Sequence, residues 1–412
     1  MILPEPFIKF LQNFHFSPIN PQDTICEDIS IGEVNVTKYI NEYWTSQQRK
    51  AASIHEISYR ACFKPQLPGF FISQLSQKGD RIYDPFTGRG TTPIEAGLLG
   101  RNIASNDINP LSKILTQPRF YIPSLSQLSE RLGSIPYSDD LSAEIDLSMF
   151  YHQQTESELV SLRSYLQEKT SDGDADHLDD WIRMVATNRL TGHSPGFFSV
   201  YTLPPNQAIS PERQRMINEK RSQVPEYRDT KALILKKSKQ LISGITKQQQ
   251  LNLKNAGDNS IFQNTDARNT KEIPDESIQL TVTSPPFLDI VQYSKDNWLR
   301  CWFNGISVEE VSKQITHLQN VQQWASVMGD VFSELYRITK KHGYIAFEVG
   351  EVRKGKIRLD EVVVPLGIKA GFECIGIVIN NQDFTKTSNI WGVTNMEGGT
   401  NTNRIVVFHK SR

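Results

Sequence analysis

Short apolar runs that alternate with helical periods occupy two separate parts of the chain. Over residues 79–115 the pattern predicts a buried strand (GDRIYDPFT), a glycine-rich turn that opens a helix (GRGTTPIEAGLLG) and a second strand (RNIASNDINP). Over residues 257–410 it predicts a strand before Ser284, three more at HGYIAFEVG, FECIGIVIN and NRIVVFHK, and a helix over 320–340. Strands that alternate with helices predict an α/β fold with a doubly wound sheet.

The stretch between these two parts has a different character. Residues 117–256 contain helical segments, ESELVSLRSYLQEK and HLDDWIRMVATNRL, on either side of an acidic linker, and a loop rich in Pro, Gly and Ser follows them. This stretch does not continue the alternation of strand and helix. We therefore expect an inserted, mainly helical subdomain at 117–256, between one part of the α/β domain at 1–116 and the other at 257–412.

Composition changes this picture little. Hydrophobic residues make up 38% of the chain and charged residues 22%, which is typical of a globular protein. No apolar run is long enough to cross a bilayer and the first residues lack the pattern of a signal peptide, so we expect a cytoplasmic protein without a membrane partner. The four cysteines are far apart and form no CxxC pair, which predicts neither a zinc site nor a disulfide framework.

The glycine-rich turn carries the first chemical signal. In the segment from Asp84 to Thr92, glycines allow a ligand to approach the backbone, and the start of the following helix favours negative charge. By itself, such a turn is also compatible with another nucleotide site or with a tight connection between strand and helix. Asp107, at the end of the next predicted strand, could accept hydrogen bonds from both hydroxyls of a ribose. The turn and the acid together predict a nucleoside-binding slot.

Residues 84–112, DPFTGRGTTPIEAGLLGRNIASNDINPLS, resemble the cofactor motif of the amino-methyltransferases of DNA. The resemblance extends over about residues 55–115 and 257–410 and implies a Rossmann-like methyltransferase domain that depends on S-adenosyl-L-methionine. It implies that Asp84, Gly88 and Gly90 hold the amino-acid part of the cofactor. Asp107 would hold the ribose and Asp266 the adenine amine. The full set of cofactor-binding residues that it implies is His55, Phe63, Asp84, Phe86, Gly88, Gly90, Thr91, Thr92, Asp107 and Asp266.

The sequence Ser284-Pro285-Pro286-Phe287 resembles the catalytic motif of the same family. An exocyclic amine on a base is a poor nucleophile, because its lone pair is delocalised into the ring. Acceptors at Ser284 Oγ and the Pro285 carbonyl would bind the two amine hydrogens and direct the lone pair at the methyl group. The two prolines would stiffen the backbone, and Phe287 would stack on a base rotated out of the duplex.

The first residue of this motif bears on the target base. In the family that the chain resembles, a serine usually goes with the N4 amine of cytosine and an aspartate with the N6 amine of adenine. We therefore expect N4-cytosine methylation, with N6-adenine as the alternative. Methylation at C5 of cytosine is disfavoured, because it needs a nucleophilic cysteine, typically after a proline, and no cysteine here follows one.

The helical insert is the candidate for target recognition, since the cofactor motif precedes the catalytic motif and the insert lies between them. Its segment 211–239 is the most basic part of the chain, and the net charge of -1 for the whole chain does not exclude a local basic surface. The residues expected to contact double-stranded DNA are Asn188, Arg189, His193, Lys236, Lys237 and Lys239. Residues 399–404 are similar to the closing motif of the family and are expected to contribute to the base pocket.

Two other functions stay open. One is an RNA base methyltransferase of the tRNA guanine-N2 type, although such enzymes lack the SPPF motif and its continuation. The other is a noncatalytic nucleic-acid-binding scaffold, which has no chemical need for both motifs. The chain carries no nuclease signature, so a cognate restriction endonuclease would be encoded separately.

Overall fold

A computed structural model describes residues 3–15, 23–44, 51–59, 62–204, 208–286, 296–314, 320–352, 357–381 and 403–412. Its centre is a nine-stranded sheet with the order β1-β2-β10-β11-β7-β6-β3-β4-β5. These strands are β1 (Ile25–Ile31), β2 (Val34–Asn41), β3 (Arg81–Asp84), β4 (Asn102–Asn106), β5 (Ile261–Gln263), β6 (Ile278–Thr283), β7 (Thr339–Val349), β10 (Glu373–Asn380) and β11 (Asn403–His409). Two further short strands, β8 (Glu351–Val352) and β9 (Ile357–Arg358), pair only with each other.

The strand order explains where a ligand would bind. From β3 the chain moves outwards through β4 to β5, and it then returns to the other side of β3 as β6 and continues to β7. All five of these strands are parallel, whereas β11 is antiparallel to both of its neighbours. The direction of winding therefore reverses between β3 and β6, and doubly wound sheets bind ligands at the carboxyl ends of the strands beside such a point. The expected doubly wound α/β sheet is confirmed.

The helices cover both faces of the sheet and form a separate layer between β4 and β5. Their bounds are α1 (Pro4–Gln12), α2 (Gln66–Leu75), α3 (Thr91–Leu98), α4 (Leu111–Thr116), α5 (Leu125–Ser134), α6 (Gln153–Ser171), α7 (His177–Arg189), α8 (Pro211–Arg221), α9 (Thr230–Ile242), α10 (Lys247–Asp258), α11 (Trp298–Asn304), α12 (Val308–Gln314), α13 (Val321–Ile338) and α14 (Leu359–Ala370). Short 3-10 turns lie at Ser53–His55 and Gln117–Phe120. No helix within the described ranges is long and apolar enough to cross a membrane.

Each face of the sheet has its own hydrophobic core. On one face, residues of α13 and α14 such as Phe332 and Val363 pack on Ile345 and Phe347 of β7. On the other face, residues of α2 and α3 pack on the alternate side chains of the same strands, including Ala346. Alternation of side chains along each strand produces this division, because successive residues point to opposite faces.

The helical layer shares the second of these cores. Helix α7 lies at its centre, with Trp181 fully buried and its Nε1 donating to Ser238 Oγ of α9 over 2.9 Å. It begins at Asp176, which caps the helix and forms a capping box with Asp179. Between β4 and β5, the described residues form no strand that joins the sheet. Helix α10, at the end of this stretch, packs on α3 against the sheet.

The pattern of residues did not predict the edge hairpin. β1 and β2 pair antiparallel through a two-residue turn at Gly32 and Glu33, and β2 extends the sheet beyond β10. Most of β1 is exposed, so it has little hydrophobic alternation from which a strand could be predicted.

Candidate active site

A cavity opens at the carboxyl ends of the strands that flank the switch point. Three carboxylates line it: Asp84 is the last residue of β3, and Asp107 and Asp266 follow β4 and β5. Ser284 and Pro286, which follow β6, line the same cavity. The parallel strands therefore bring together residues that are as much as 202 positions apart in sequence.

Asp84 is the most buried of the three carboxylates, with 1% of its surface exposed. Its Oδ1 accepts hydrogen bonds from Thr283 Oγ1 over 2.6 Å and from the Phe86 backbone N–H over 3.1 Å. Both donors are uncharged and compensate only part of the cost of burial, which raises the pKa of Asp84 to about 7. A positively charged ligand group beside Asp84 would relieve that cost.

The turn after β3 uses its two glycines differently. Gly88 has a positive φ of 55° and its N–H donates to Asp107 Oδ2 over 2.8 Å. Asp107 Oδ1 accepts from the Asn109 N–H over 2.9 Å, and burial raises the pKa of this carboxyl to about 6. Each oxygen keeps a free lone pair for a ligand hydroxyl. Gly90 also has a positive φ, and a Cβ there would lie 2.4 Å from Thr116 Oγ1, so packing requires this glycine.

Asp266 already has a cationic partner. Arg268 donates to it from Nε over 2.9 Å and from Nη2 over 2.6 Å, a bidentate pair that lowers the pKa of Asp266. Arg268 also lines the cavity, so the pair presents both a carboxylate and a flat guanidinium at its wall. The motifs in the sequence did not identify Arg268, although it is only two residues after Asp266.

A buried tryptophan anchors the segment after β6. Trp324 Nε1 donates to the Pro286 carbonyl over 3.0 Å, and its ring is fully buried at the start of α13. Pro285 is buried and Ser284 is partly exposed to the cavity. Phe287 lies outside the described residues, as do the neighbouring residues 288–295.

The apolar wall of the cavity was only partly predicted, since Phe63 and Phe86 were expected there and the residues of α13 were not. Val327, Met328 and Val331 of α13 line it, together with Phe63 and Phe86. The helical period of α13 is visible in the sequence, but such a period predicts a buried face without saying whether a ligand or a strand covers it. Other lining residues that the sequence motifs did not single out are Tyr59, Cys62, Ile108, Asn109, Thr265 and Gln314.

Three of the expected cofactor residues do not line the cavity and pack against other parts of the fold. His55 is buried, does not line the cavity and has its Nε2 2.9 Å from Glu95 Oε2 on α3. Thr92 Oγ1 donates to the Val282 carbonyl over 3.0 Å, which ties α3 to β6. Gly90 packs on Thr116 and is likewise absent from the cavity wall. The other seven residues of the expected set, Phe63, Asp84, Phe86, Gly88, Thr91, Asp107 and Asp266, line the cavity.

The residues expected to contact DNA fall into a buried group and an exposed group. Asn188 and Arg189 are buried: Asn188 Nδ2 donates to the Ser58 carbonyl, and the Arg189 guanidinium lies 3.9 Å above the ring centre of Phe197. Lys237 is also buried, and its Nζ is 3.5 Å from Glu56 Oε2. These three side chains are not part of the free surface, because Asn188 and Lys237 contact Ser58 and Glu56 while Arg189 packs on Phe197.

The remaining three expected DNA contacts, His193, Lys236 and Lys239, are exposed. Of the closing segment 399–404, only Asn403 and Arg404 belong to the described residues. Among the residues that the structure describes, no three His, Cys, Asp or Glu side chains form a group that could hold a metal ion.

Residues 20–117 match the sequence family described as DNA methylase, of the N6/N4 type. The chain is 36% identical over 122 residues to the type II methyltransferase M.BsoBI of Geobacillus stearothermophilus, which is 29% of this chain and 24% of that protein. It is 31% identical over 98 residues to the type II methyltransferase M.MvaI of Kocuria varians, 23% of this chain and 20% of that protein. The matched region is thus about a quarter or less of the length of these relatives.

A similar solved structure is the rRNA methyltransferase AviRa of Streptomyces viridochromogenes, which is 12% identical, with a TM-score of 0.35 over 90% of this chain and 94% of that one. At this score the likeness adds nothing to the fold assignment, which rests on the strand order. The DNA methylase match supports S-adenosyl-L-methionine as the cofactor.

Proposed function

We propose that the chain is a DNA methyltransferase that uses S-adenosyl-L-methionine and methylates the N4 amine of a flipped-out cytosine, because residues 20–117 match the DNA methylase family. One observation carries this proposal: Ser284 and Pro286 line the same cavity as Asp84 and Asp107. The expected catalytic motif and the expected cofactor motif are nearly 200 residues apart, and a shared cavity is what a transfer between two bound molecules requires.

The residues of the cavity fit the proposed cofactor. The buried Asp84 carboxylate is suited to a cationic group such as the cofactor's ammonium, and Asp107 has free lone pairs for two ribose hydroxyls. The apolar side chains of Val327 and Val331 are suited to the adenine ring, whose amine Asp266 would bind. When bound, this cofactor supplies a methyl group on a positively charged sulfur.

Ser284 and the Pro285 carbonyl would prepare the nucleophile. Two acceptors that bind the two hydrogens of the amine hold its nitrogen out of conjugation with the ring, so that the lone pair points at the methyl carbon. Ser284 Oγ and the Pro285 carbonyl would orient the amine lone pair towards the methyl group that the cofactor would supply, and one amine proton would leave to solvent. Trp324 keeps these acceptors in place by its hydrogen bond to the Pro286 carbonyl.

The choice of cytosine rests on the serine at the start of the motif, and N6-adenine methylation is the alternative. The choice of double-stranded DNA rests on the family and on the exposed cations of the helical layer. Lys236 and Lys239 of α9 and His193 in the loop after α7 are the described members of the expected set that can reach a phosphate backbone.

Incubation of the purified chain with isotopically methyl-labelled cofactor and unmethylated duplex DNA tests the proposal. Nucleoside mass spectrometry should detect labelled N4-methylcytosine, and Ser284→Ala, the matched control, should strongly reduce its rate of formation. Labelled N6-methyladenine alone would replace the base assignment and keep the site. A parallel incubation with tRNA that labels guanine, with no label in DNA, would overturn the proposal in favour of the RNA alternative.

A further inference from the structure

Glu348 is a carboxylate that lies beside Ser284. It has no role in the proposed reaction as described so far. β6 and β7 are parallel, and Thr283 lies opposite Phe347 in their register. The next residue is Ser284, which follows β6, in one case and Glu348, within β7, in the other. The two therefore lie side by side at the carboxyl edge of the sheet, next to the cavity.

The two side chains also share a face of the sheet. Val282 and Ala346 pack in the same hydrophobic cluster, on the face covered by α2 and α3. Side chains alternate along a strand, so Ser284 and Glu348, each two residues further on, continue on that face. Asn403 at the start of β11 completes the row, because its Nδ2 donates to Glu348 Oε1.

The carboxylate is buried and has uncharged partners. Only 9% of Glu348 is exposed, and it accepts hydrogen bonds from the Ser284 hydroxyl and from Asn403. Burial raises the pKa of Glu348, whereas the two donors act in the opposite direction. The charged groups nearest in sequence on the adjoining strand and helix, Arg404 and Asp360, pair with each other over 3.1 Å.

We infer that Glu348 is a positioning residue that holds the Ser284 hydroxyl hydrogen away from the substrate, so that the oxygen faces the target amine only as an acceptor. This inference rests on the proposed function. A serine hydroxyl has one hydrogen and two lone pairs, and the hydrogen rotates to the best acceptor available. Without Glu348 the hydroxyl could turn its hydrogen towards the base, and the amine would lose the acceptor that localises its lone pair.

Asn403 would position Glu348 in turn. A buried carboxylate with a single donor is costly, and the second hydrogen bond from Asn403 satisfies another of its lone pairs. Asn403 thereby keeps Glu348 turned towards Ser284. It lies in the segment that resembles the closing motif of the family, which gives that segment a role through Glu348.

The first test is a double-mutant cycle between Glu348→Gln and Ser284→Ala in steady-state methylation. A glutamine can donate to the serine oxygen and so reverse the hydrogen bond. Glu348→Gln alone should lower kcat about 10- to 100-fold with little change in KM for DNA. In the Ser284→Ala background the same change should have almost no further effect. Glu373→Gln, an exposed carboxylate at the opposite end of the sheet, is the matched control and should keep wild-type rates.

The second test needs no turnover and uses the chain without cofactor or DNA. Infrared difference spectra of wild type against Glu348→Gln isolate the carboxyl band of Glu348, which can then be titrated. Because the Ser284 hydroxyl favours the ionised form, Ser284→Ala should raise the pKa of Glu348. If Glu348→Gln does not fold, Glu348→Asp replaces it in both tests, since a shorter carboxylate moves away from the hydroxyl.

The outcomes distinguish failure of the role inferred for Glu348 from failure of the proposed function. Methylation by the wild type with additive effects of the two mutations, or a Glu348 titration that Ser284→Ala leaves unchanged, would overturn the inference and keep the proposed function. A wild-type chain that methylates no nucleic acid would overturn both. A non-additive cycle together with a shifted titration would support the assignment of Glu348.

Discussion

Replacing Asp84 with asparagine should stabilise the chain in the absence of cofactor. Asparagine keeps the shape of the side chain and an oxygen that can accept from Thr283 and from the Phe86 N–H, but it removes a buried charge. The folded state raises the pKa of Asp84 from 3.8 to about 7. The folded chain thus holds the proton more tightly than the unfolded chain, so this contribution to stability is complete below pH 3.8 and is lost as the pH rises to about 7.

The size of the effect follows from this window. One pKa unit corresponds to about 1.4 kcal/mol, and about two units of the window lie between pH 5 and pH 8. The wild type should therefore lose about 3 kcal/mol of stability relative to Asp84→Asn over that range, an order-of-magnitude figure. Thermal unfolding followed by circular dichroism at several pH values should show the two melting temperatures diverging by a few degrees as the pH rises.

Asp174→Asn provides the control, because Asp174 is exposed in the loop between α6 and α7. Its melting temperature should follow that of the wild type at every pH. Parallel curves for Asp84→Asn and wild type would refute the reasoning, since they would mean that the folded state does not disfavour the charge of Asp84. Saturating S-adenosyl-L-methionine should stabilise the wild type more than Asp84→Asn, because only the carboxylate offers a counter-charge to the ligand.

Three further predictions concern binding and turnover. Asp107→Ala should weaken cofactor binding by about 1–3 kcal/mol, because two ribose hydroxyls lose their acceptor, and calorimetry that gives equal affinities would remove Asp107 from the site. Ser284→Ala should bind cofactor and DNA almost normally yet lose most of its turnover, and 5-fluorocytosine DNA should form no covalent adduct with the wild type; a trapped adduct would contradict the amine mechanism. Neutralising Lys236 and Lys239 should flatten the salt dependence of DNA affinity in a filter-binding assay, and an unchanged slope would make that helix face a merely solvated one.

Local patterns determined the main elements of this protein. The β3 strand, its glycine-rich turn and α3 were all predicted, because an apolar run, a turn that needs positive φ and a helical period are each properties of a few consecutive residues. The motifs also led to the prediction that Asp84, Asp107 and Ser284 are site residues, from their places at predicted strand ends. Strand ends of a parallel sheet meet at one edge, so the order of motifs along the chain is enough to predict that these residues lie near one another.

Tertiary structure decided which residues of each motif face the cavity. Gly90, Thr92 and His55 belong to segments that resemble the family motif, yet they pack against Thr116, Val282 and Glu95, because only one side of a turn or helix can face a ligand. A motif records which residues occur together and not the side to which each one points.

The same limit applies to charge. Lys236, Lys237 and Lys239 are equivalent as letters in a basic segment, but α9 turns Lys237 into the interior beside Glu56 and leaves the other two exposed. The sequence did not point to Glu348 for a related reason, because a single acid in an apolar strand belongs to no recognisable motif. Its place beside Ser284 comes from the register of β7 against β6, which depends on packing across the whole sheet and on no short stretch of sequence.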